Sequence, residues 1–472
     1  MNLALLAPEI TLLTLTCAVL LVDLYAPGRQ RAGTYAAAQA TLVVTAVITW
    51  LNWSGPQAAF GASYVADLGA LVIKLAALGT VSAVLGYGRQ YLRERGQLSG
   101  EYLTLTLFAT LGVFLLASGG SLLTLYLGLE TLSLSAYALV ATDRDSPSGA
   151  EAAIKYFFLG ALASGMLLYG MSLLYGLGGT LSLAELGTAL NGAPRTAVGL
   201  ALVFVVVGVG FKLGAAPFHM WVPDVYHGAP TPVTMFLGTA SKLGALALTS
   251  RLLLDGLYDQ AAQWQQMVLA AGVLSVGLGN LVAIAQRNLK RMLAYSTIAH
   301  MGFFLLALLG PAGSGPAAGL FYMLTYALMG LASFGGILLL ARAGFEADAI
   351  DDFRGLNTRA PWAALVVMVV MFSLAGVPPT VGFYAKLAVI QALVDAGHTA
   401  VAVYAVVMSV IGAFYYLRVI KAVYFDAPAD GAPPVPAGGA RVWLFAFNGA
   451  ALLALGVLPG PLLALCRQVF AG

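Results

Sequence analysis

Charge is what this sequence has least of. Only 9% of its 472 residues are Asp, Glu, Lys or Arg, against roughly 25% in a soluble domain. So few charges cannot clothe a water-soluble fold of this size, and most of the surface must therefore face lipid. Cysteine is scarcer still. Cys17 and Cys466 lie in the first and last apolar segments, with no CxxC spacing and no histidine nearby. They read as packing residues, which leaves no metal or iron–sulfur site. With a net charge of +3 and no basic run, nucleic acid is excluded as a partner. Walker loops, dinucleotide fingerprints and haem spacings are all missing, so no cofactor is expected on this chain. Driving energy has to come from another ion gradient or from partner subunits. The N-terminus has neither a basic leader nor a small-residue cleavage site, so the first apolar segment reads as a retained anchor.

Apolar residues supply 60% of the chain, and a spanning helix needs about 20 of them in succession. That ruler predicts an all-α polytopic membrane protein with fourteen segments. They run over 3–25, 34–53, 64–86, 102–118, 120–141, 151–175, 196–219, 230–254, 262–285, 292–310, 316–341, 361–396, 399–424 and 441–462. The connections are short, the longest polar ones being 342–360 and 425–440. Positive charge then sets the orientation. Odd-numbered loops carry Arg29, Arg31, Arg89, Arg93, Arg95, Arg144, Arg287, Lys290, Arg291, Arg342, Arg354, Arg359, Lys421 and Arg441. Even loops and the C-terminus carry Arg195, Arg251 and Arg467. The positive-inside rule puts the odd loops in the cytoplasm and both termini on the periplasmic side of an inner membrane.

Two segments read as broken. The seventh contains Gly208-Val-Gly-Phe-Lys-Leu-Gly-Ala-Ala-Pro217, a lysine among glycines and a proline. The twelfth, at about 36 residues, would be roughly 54 Å long as one helix, too long for a hydrocarbon core of about 30 Å. Gly376-Val-Pro-Pro379 lies near its centre, and adjacent prolines leave carbonyls without partners. In lipid such a break survives only inside protein or beside water. Two interrupted segments five helices apart point to a transporter of two repeated halves. Ordinary proline kinks are the plainer alternative.

Ionisable groups inside spanning helices cost about 2.5–3.5 kcal/mol each on insertion scales. Glu130, Lys155, Lys212, Lys242 and Lys386 all fall there. With the orientation above they form a ladder. Lys155 is near the inner end of the sixth segment, and Lys212 sits in the inner half of the seventh. Glu130 and Lys242 lie at mid-depth, and Lys386 lies toward the outer face. Each has a plainer reading. Lys155 can snorkel to the interface, and Glu130 with Lys212 can be a static pair. Asp67 and Lys74, seven apart on one helical face, read as satisfying each other. The functional reading is proton transfer: burial disfavours a lysine's charge and a nearby carboxylate restores it. A Lys/Glu pair of variable separation can thus take up and release a proton without redox chemistry. Imidazole relays protons near neutral pH, and His300, inside the tenth segment, is the best histidine for that, with a satisfied core histidine as its plainer reading. His219 and His227 flank a turn and are expected to make structural hydrogen bonds.

At these residues the chain resembles the antiporter-like membrane subunits of respiratory complex I. The stretches that carry the resemblance are GFKLGAAPFHMWVPDVYHGAPTPVT at 210–234, LGLETLSLSAY around Glu130, EAAIKYFFLG around Lys155 and TASKLGA around Lys242. NLKRMLAYSTIAHMG at 288–302 and SLAGVPPTVGFYAKL around Lys386 complete it. Three types, L, M and N, share these features. The L type ends in a long lateral helix, and the M type usually has glutamate where Lys386 stands. Lysine there, with the PDVYHGAP spelling, is similar to the N type of bacterial NADH–quinone oxidoreductases.

The resemblance implies two inverted five-helix repeats with flanking helices: 1–101 as helices 1–3, 102–260 as the first repeat, 261–425 as the second and 426–472 as the last helix. It implies Glu130 and Lys212 as a coupling pair, Lys155 and Lys242 as relays and Lys386 as the exit lysine. It also implies neighbouring membrane subunits of complex I as partners, within a lipid bilayer, with NADH and quinone chemistry on other chains. A cation/proton antiporter subunit shares the same features and is the alternative; an inert scaffold leaves the five deep ionisable groups unexplained.

Overall fold

The computed structural model describes residues 3–25, 31–428, 435–436 and 438–471. Helices dominate. They are α1 (Ala7–Tyr25), α2 (Ala32–Leu51), α3 (Leu68–Glu94), α4 (Gly100–Ala117), α5 (Leu122–Val140), α6 (Pro147–Gly178), α7 (Leu183–Ala189) and α8 (Arg195–Leu213). Then follow α9 (Trp221–Gly228), α10 (Thr231–Gly238), α11 (Ala240–Thr249), α12 (Ala261–Ile284), α13 (Leu289–Ala307) and α14 (Ser314–Leu340). The chain ends with α15 (Leu356–Arg359), α16 (Pro361–Ala375), α17 (Val381–Asp395), α18 (Thr399–Tyr424), α19 (Ala440–Val457) and α20 (Gly460–Val469). Among the described residues one antiparallel hairpin, β1 (Gln57–Ala59) with β2 (Tyr64–Ala66), interrupts them.

A helix satisfies its own backbone, which is why it suits lipid, but its first N–H groups need outside partners. Here polar residues at the segment starts provide them. The hydroxyls of Ser99, Ser121 and Ser146 accept from the backbone N–H of Tyr102, Thr124 and Gly149, and the side-chain oxygen of Asn288 accepts from that of Arg291.

Eleven helices among the described residues are long and apolar enough to cross a membrane. The other three predicted segments are α10 with α11, α13, and α16 with α17. All fourteen segments are thus helical, with differences at the ends. Residues 64–66 are strand and not helix, because Asp67 caps α3 by accepting from Ala70 N–H at 2.7 Å. The last segment stops at Val457 and resumes as α20. Arg29 lies outside the described residues.

The chain packs as two compact units. The first is Met1–Ser82, Gly96–Leu213 and Ala240–Val268. Within it α4 packs on α1, α2, α5 and α11, and α6 packs on α5 and α8. The second is Ala83–Arg95, Gly214–Thr239 and Leu269–Gly472. Its centre is α14, buried along nearly all its length among α10, α13, α16, α17, α19 and α20.

Both predicted breaks are present. Helix α8 stops at Leu213, earlier than residue 219, where Gly214 takes a left-handed φ of +76°. Helix α16 stops at Ala375, where Gly376 takes φ +87°. A side chain is strained at such φ and glycine is not. A third break was not anticipated. Thr239, at φ −127° and ψ −83°, separates α10 from α11, and α11 runs on into a π-helical turn over Ser250–Gly256. No proline marks it.

Candidate proton path

Helix α5 presents Glu130 and Ser133, α6 presents Ser164, and α8 presents Lys212, all in the first unit. Glu130 is half-buried and accepts a hydrogen bond from the Ser164 hydroxyl. Lys212 is buried, and its ammonium donates to Ser133 Oγ at 2.9 Å. Glu130 and Lys212 therefore each bond a serine, and among the described residues no ion pair joins them directly. Between the serines lies a small cavity lined by Ser133, Tyr137, Tyr156, Ser164 and Lys212. Its room for water centres is about 10 Å³, about what one water needs.

Lys242 follows the unanticipated break on α11 and is 1% exposed. Its ammonium reaches the end of α8 and donates to the carbonyls of Leu213 at 2.7 Å and Lys212 at 3.4 Å. These are carbonyls that the stop at Gly214 leaves without a helical partner, at the negative end of a helix dipole. The same device recurs in the second unit. Lys386 on α17 folds back across the Gly376 break and donates to Ala375 O at 2.8 Å and to Ser409 Oγ at 2.7 Å. The two breaks thus each end on a buried lysine.

His300, on α13, is 3% exposed. Its Nδ1 lies 2.6 Å from the Tyr322 hydroxyl and its Nε2 lies 3.2 Å from that of Tyr416.

Lys155 stands apart. Its side chain is 41% exposed on α6 and pairs with Glu151 one turn earlier at 2.7 Å. The structure brings Glu130, Lys212 and Lys242 together in one unit, and places His300 and Lys386 in the other.

The expected Asp67–Lys74 pairing is replaced by two separate clusters. Lys74 is buried against Glu9 of α1, with the Tyr64 hydroxyl 3.1 Å from its ammonium. Asp67 instead pairs with Arg251 at 2.6 Å, and Arg251 also holds Asp255 and the Ala117 carbonyl. Seven residues span two turns, so Asp67 lies at the helix end while Lys74 faces the core, each nearer another element's charge. Arg251, Lys290 and Arg441, counted above as loop charges, are buried. Glu9 was legible as an acid inside the first apolar segment. Ser133, Ser164, Ser409, Tyr322 and Tyr416 gave no signal, because hydroxyls are common in spanning helices.

A family model described as NADH:quinone oxidoreductase/Mrp antiporter, TM, matches residues 119–412. A protein of Thiobacillus denitrificans named NADH-quinone oxidoreductase subunit N is 52% identical over 464 residues, 98% of this chain and 96% of its own length. The chain belongs to the NADH-quinone oxidoreductase subunit N family. The family's Acidithiobacillus ferrooxidans protein is also 52% identical, covering 98% of this chain and 97% of its own. Among solved structures, a chain of respiratory complex I from Thermus thermophilus with bound aureothin is 36% identical, with TM-score 0.83 over 98% of this chain and 99% of that one. A chain of the Mrp complex from Dietzia sp. shares the fold alone, at 22% identity and TM-score 0.85 over 100% of this chain and 97% of that one. This member of the family is a multi-pass membrane protein, with all six predicted site residues inside the described helices.

Proposed function

We propose that this chain is the proton-translocating membrane subunit N of a bacterial NADH–quinone oxidoreductase, coupling electron transfer from NADH to quinone to proton movement. The observation that carries it is the set Lys212, Lys242 and Lys386: three buried ammonium groups donating to neutral oxygens at or beside broken helix ends. A lysine can give up its proton and still donate through its remaining N–H groups, which an arginine cannot do at accessible pH. Lys242 bonds the backbone carbonyl of Lys212, which makes the two lysines neighbours, and they exchange protons between their side chains. Glu130 stabilises the charged state of Lys212 through Ser164, Ser133 and one water. His300 serves as relay and Lys386 as exit lysine. Lys155, half-exposed, is the peripheral member, at the edge where an adjacent subunit or lipid covers α6.

The chain holds no redox cofactor on this reading. NADH oxidation and quinone reduction occur on other subunits of the assembly. Both termini lie on the outer side, as the loop charges direct, and the two repeats are 102–260 and 261–425. The test is Lys212→Met in the whole complex, reconstituted into proteoliposomes with a pH-sensitive dye. The expected result is a complex that assembles, oxidises NADH more slowly and pumps several-fold less. Normal pumping at equal complex content overturns the reading.

A further inference from the structure

His300 has both ring nitrogens engaged, and neither partner is charged. Nδ1 meets the Tyr322 hydroxyl of α14 at 2.6 Å, and Nε2 meets the Tyr416 hydroxyl of α18 at 3.2 Å. The chain of contacts does not stop there. The Tyr416 hydroxyl is 2.6 Å from Ser296 Oγ, one turn before His300 on α13. On the far side, the Tyr322 ring stacks on Phe303, with centroids 5.8 Å apart and planes 11° apart, and Phe303 in turn lies under the Lys386 ammonium at 5.3 Å. All these side chains belong to the second unit. Ser296, Tyr416, His300 and Tyr322 are buried, and Tyr322 and Tyr416 are among the largest fully buried side chains.

A neutral imidazole donates from one nitrogen and accepts at the other. One tyrosine must therefore donate to His300 while the other accepts from it, and the Ser296–Tyr416 bond must point the same way along the row. Every link is then oriented, and every link can be reversed by moving one proton per bond. We propose that Ser296, Tyr416, His300 and Tyr322 form a proton wire in which the two tyrosine hydroxyls are the ports of His300. This inference rests on the proposed proton path and adds the groups that connect His300 to either side.

The step needs only a proton donor at the Tyr322 end and a water as acceptor beyond Ser296. A proton arriving at the Tyr322 oxygen displaces that hydroxyl's own proton onto Nδ1, which makes a transient imidazolium. The Nε2 proton passes to the Tyr416 oxygen, whose own proton passes to the Ser296 oxygen, and Ser296 releases its own hydroxyl proton to a water at the end of the wire. No net charge remains on the wire, and the imidazole is left as the other tautomer. Transfer in the opposite sense, or rotation of the hydroxyls and ring hydrogens back, restores the start. The Phe303 ring separates the wire from the Lys386 ammonium, so the connection to Lys386 requires water or a shift of that ring.

The test uses Tyr322→Phe and Tyr416→Phe in the whole complex, each removing one hydroxyl while keeping the ring. Both are expected to assemble, to lower pumping several-fold, and to add nothing further when combined with His300→Ala. Normal pumping in both overturns the wire. A fluorinated tyrosine at 416 separates relay from mere positioning, because it keeps shape and hydrogen bond but acidifies the phenol. A relay moves the pH profile of pumping; an unmoved profile, with pumping lost in the Phe variants, overturns the relay and leaves the hydroxyls as supports for the ring. Lys212→Met measured alongside tells the two readings apart. If it pumps normally the path itself fails, whereas its loss beside intact Tyr→Phe variants removes only the wire.

Discussion

Replacing Lys386 separates the hold on a broken helix end that its geometry shows from the proton transfer proposed for it. Its ammonium donates to Ala375 O at 2.8 Å and to Ser409 Oγ at 2.7 Å. Hydrogen bonds to a charged group are worth about 1.5–3 kcal/mol each, so Lys386→Met forfeits about 3–6 kcal/mol of gross interaction. Against that, the buried ammonium no longer has to be desolvated, a penalty of several kcal/mol. The Ala375 carbonyl also keeps a weak donor in Ser409 Oγ at 3.4 Å. The two contributions nearly cancel, leaving a net cost of about 2 kcal/mol or less. Such a change moves the melting temperature of the complex by a few degrees without preventing assembly. Lys386→Arg does the opposite: it keeps charge and donors, so stability holds within about 1 kcal/mol if the larger head fits, but it cannot release its proton. The assay is dye-reported pumping in proteoliposomes beside NADH turnover, at equal complex content. Both variants are expected to pump several-fold less, although only one of them lost the hydrogen bonds. Normal pumping in Lys386→Arg would refute the carrier role and leave Lys386 as a helix cap.

Two further outcomes follow from where the remaining charges lie. Lys74→Met strands the buried Glu9 carboxylate and should cost about 3–5 kcal/mol, read as lost assembly or a lower melting temperature; adding Glu9→Gln should recover most of it with pumping per complex unchanged, and a double variant no better than the single would show that the pair is not what stabilises the site. Lys155→Met breaks a mostly exposed pair worth about 0–1 kcal/mol, so stability should hold and pumping should exceed that of Lys212→Met; an equal loss would move Lys155 from the rim to the middle of the path.

The sequence reads well where one residue type dominates the physics. Runs of about 20 apolar residues located every spanning helix, because backbone satisfaction in lipid leaves little choice of structure. Glycine and proline located the breaks after Leu213 and Ala375. The break at Thr239 escaped because no residue at that point forbids a helix. Partner choice was the least legible level. Asp67 and Lys74 share a helix and two turns of spacing, yet they bond Arg251 and Glu9, which lie 184 and 65 residues away. Periodicity along one helix cannot rank such partners, because that ranking is set by how helices pack.

The same limit hid the relation between lysine and break. In the sequence, Lys386 merely follows Gly376, and Lys242 is 30 residues from Lys212. Read singly, the breaks are backbone features and the lysines are costly charges, two separate expenses of placing a chain in lipid. Folding brings them together so that each offsets the other. A stopped helix exposes carbonyls with a negative dipole end, and a buried ammonium needs acceptors that carry no full charge if it is to remain free to lose its proton. A carboxylate in the same place would hold that proton by several kcal/mol, whereas carbonyls hold it weakly. The helix break therefore makes a buried lysine tolerable and, on the proposed path, exchangeable. Interrupted helices and deep lysines occurring together in one spanning chain are, for that reason, a single sequence signal of proton transfer.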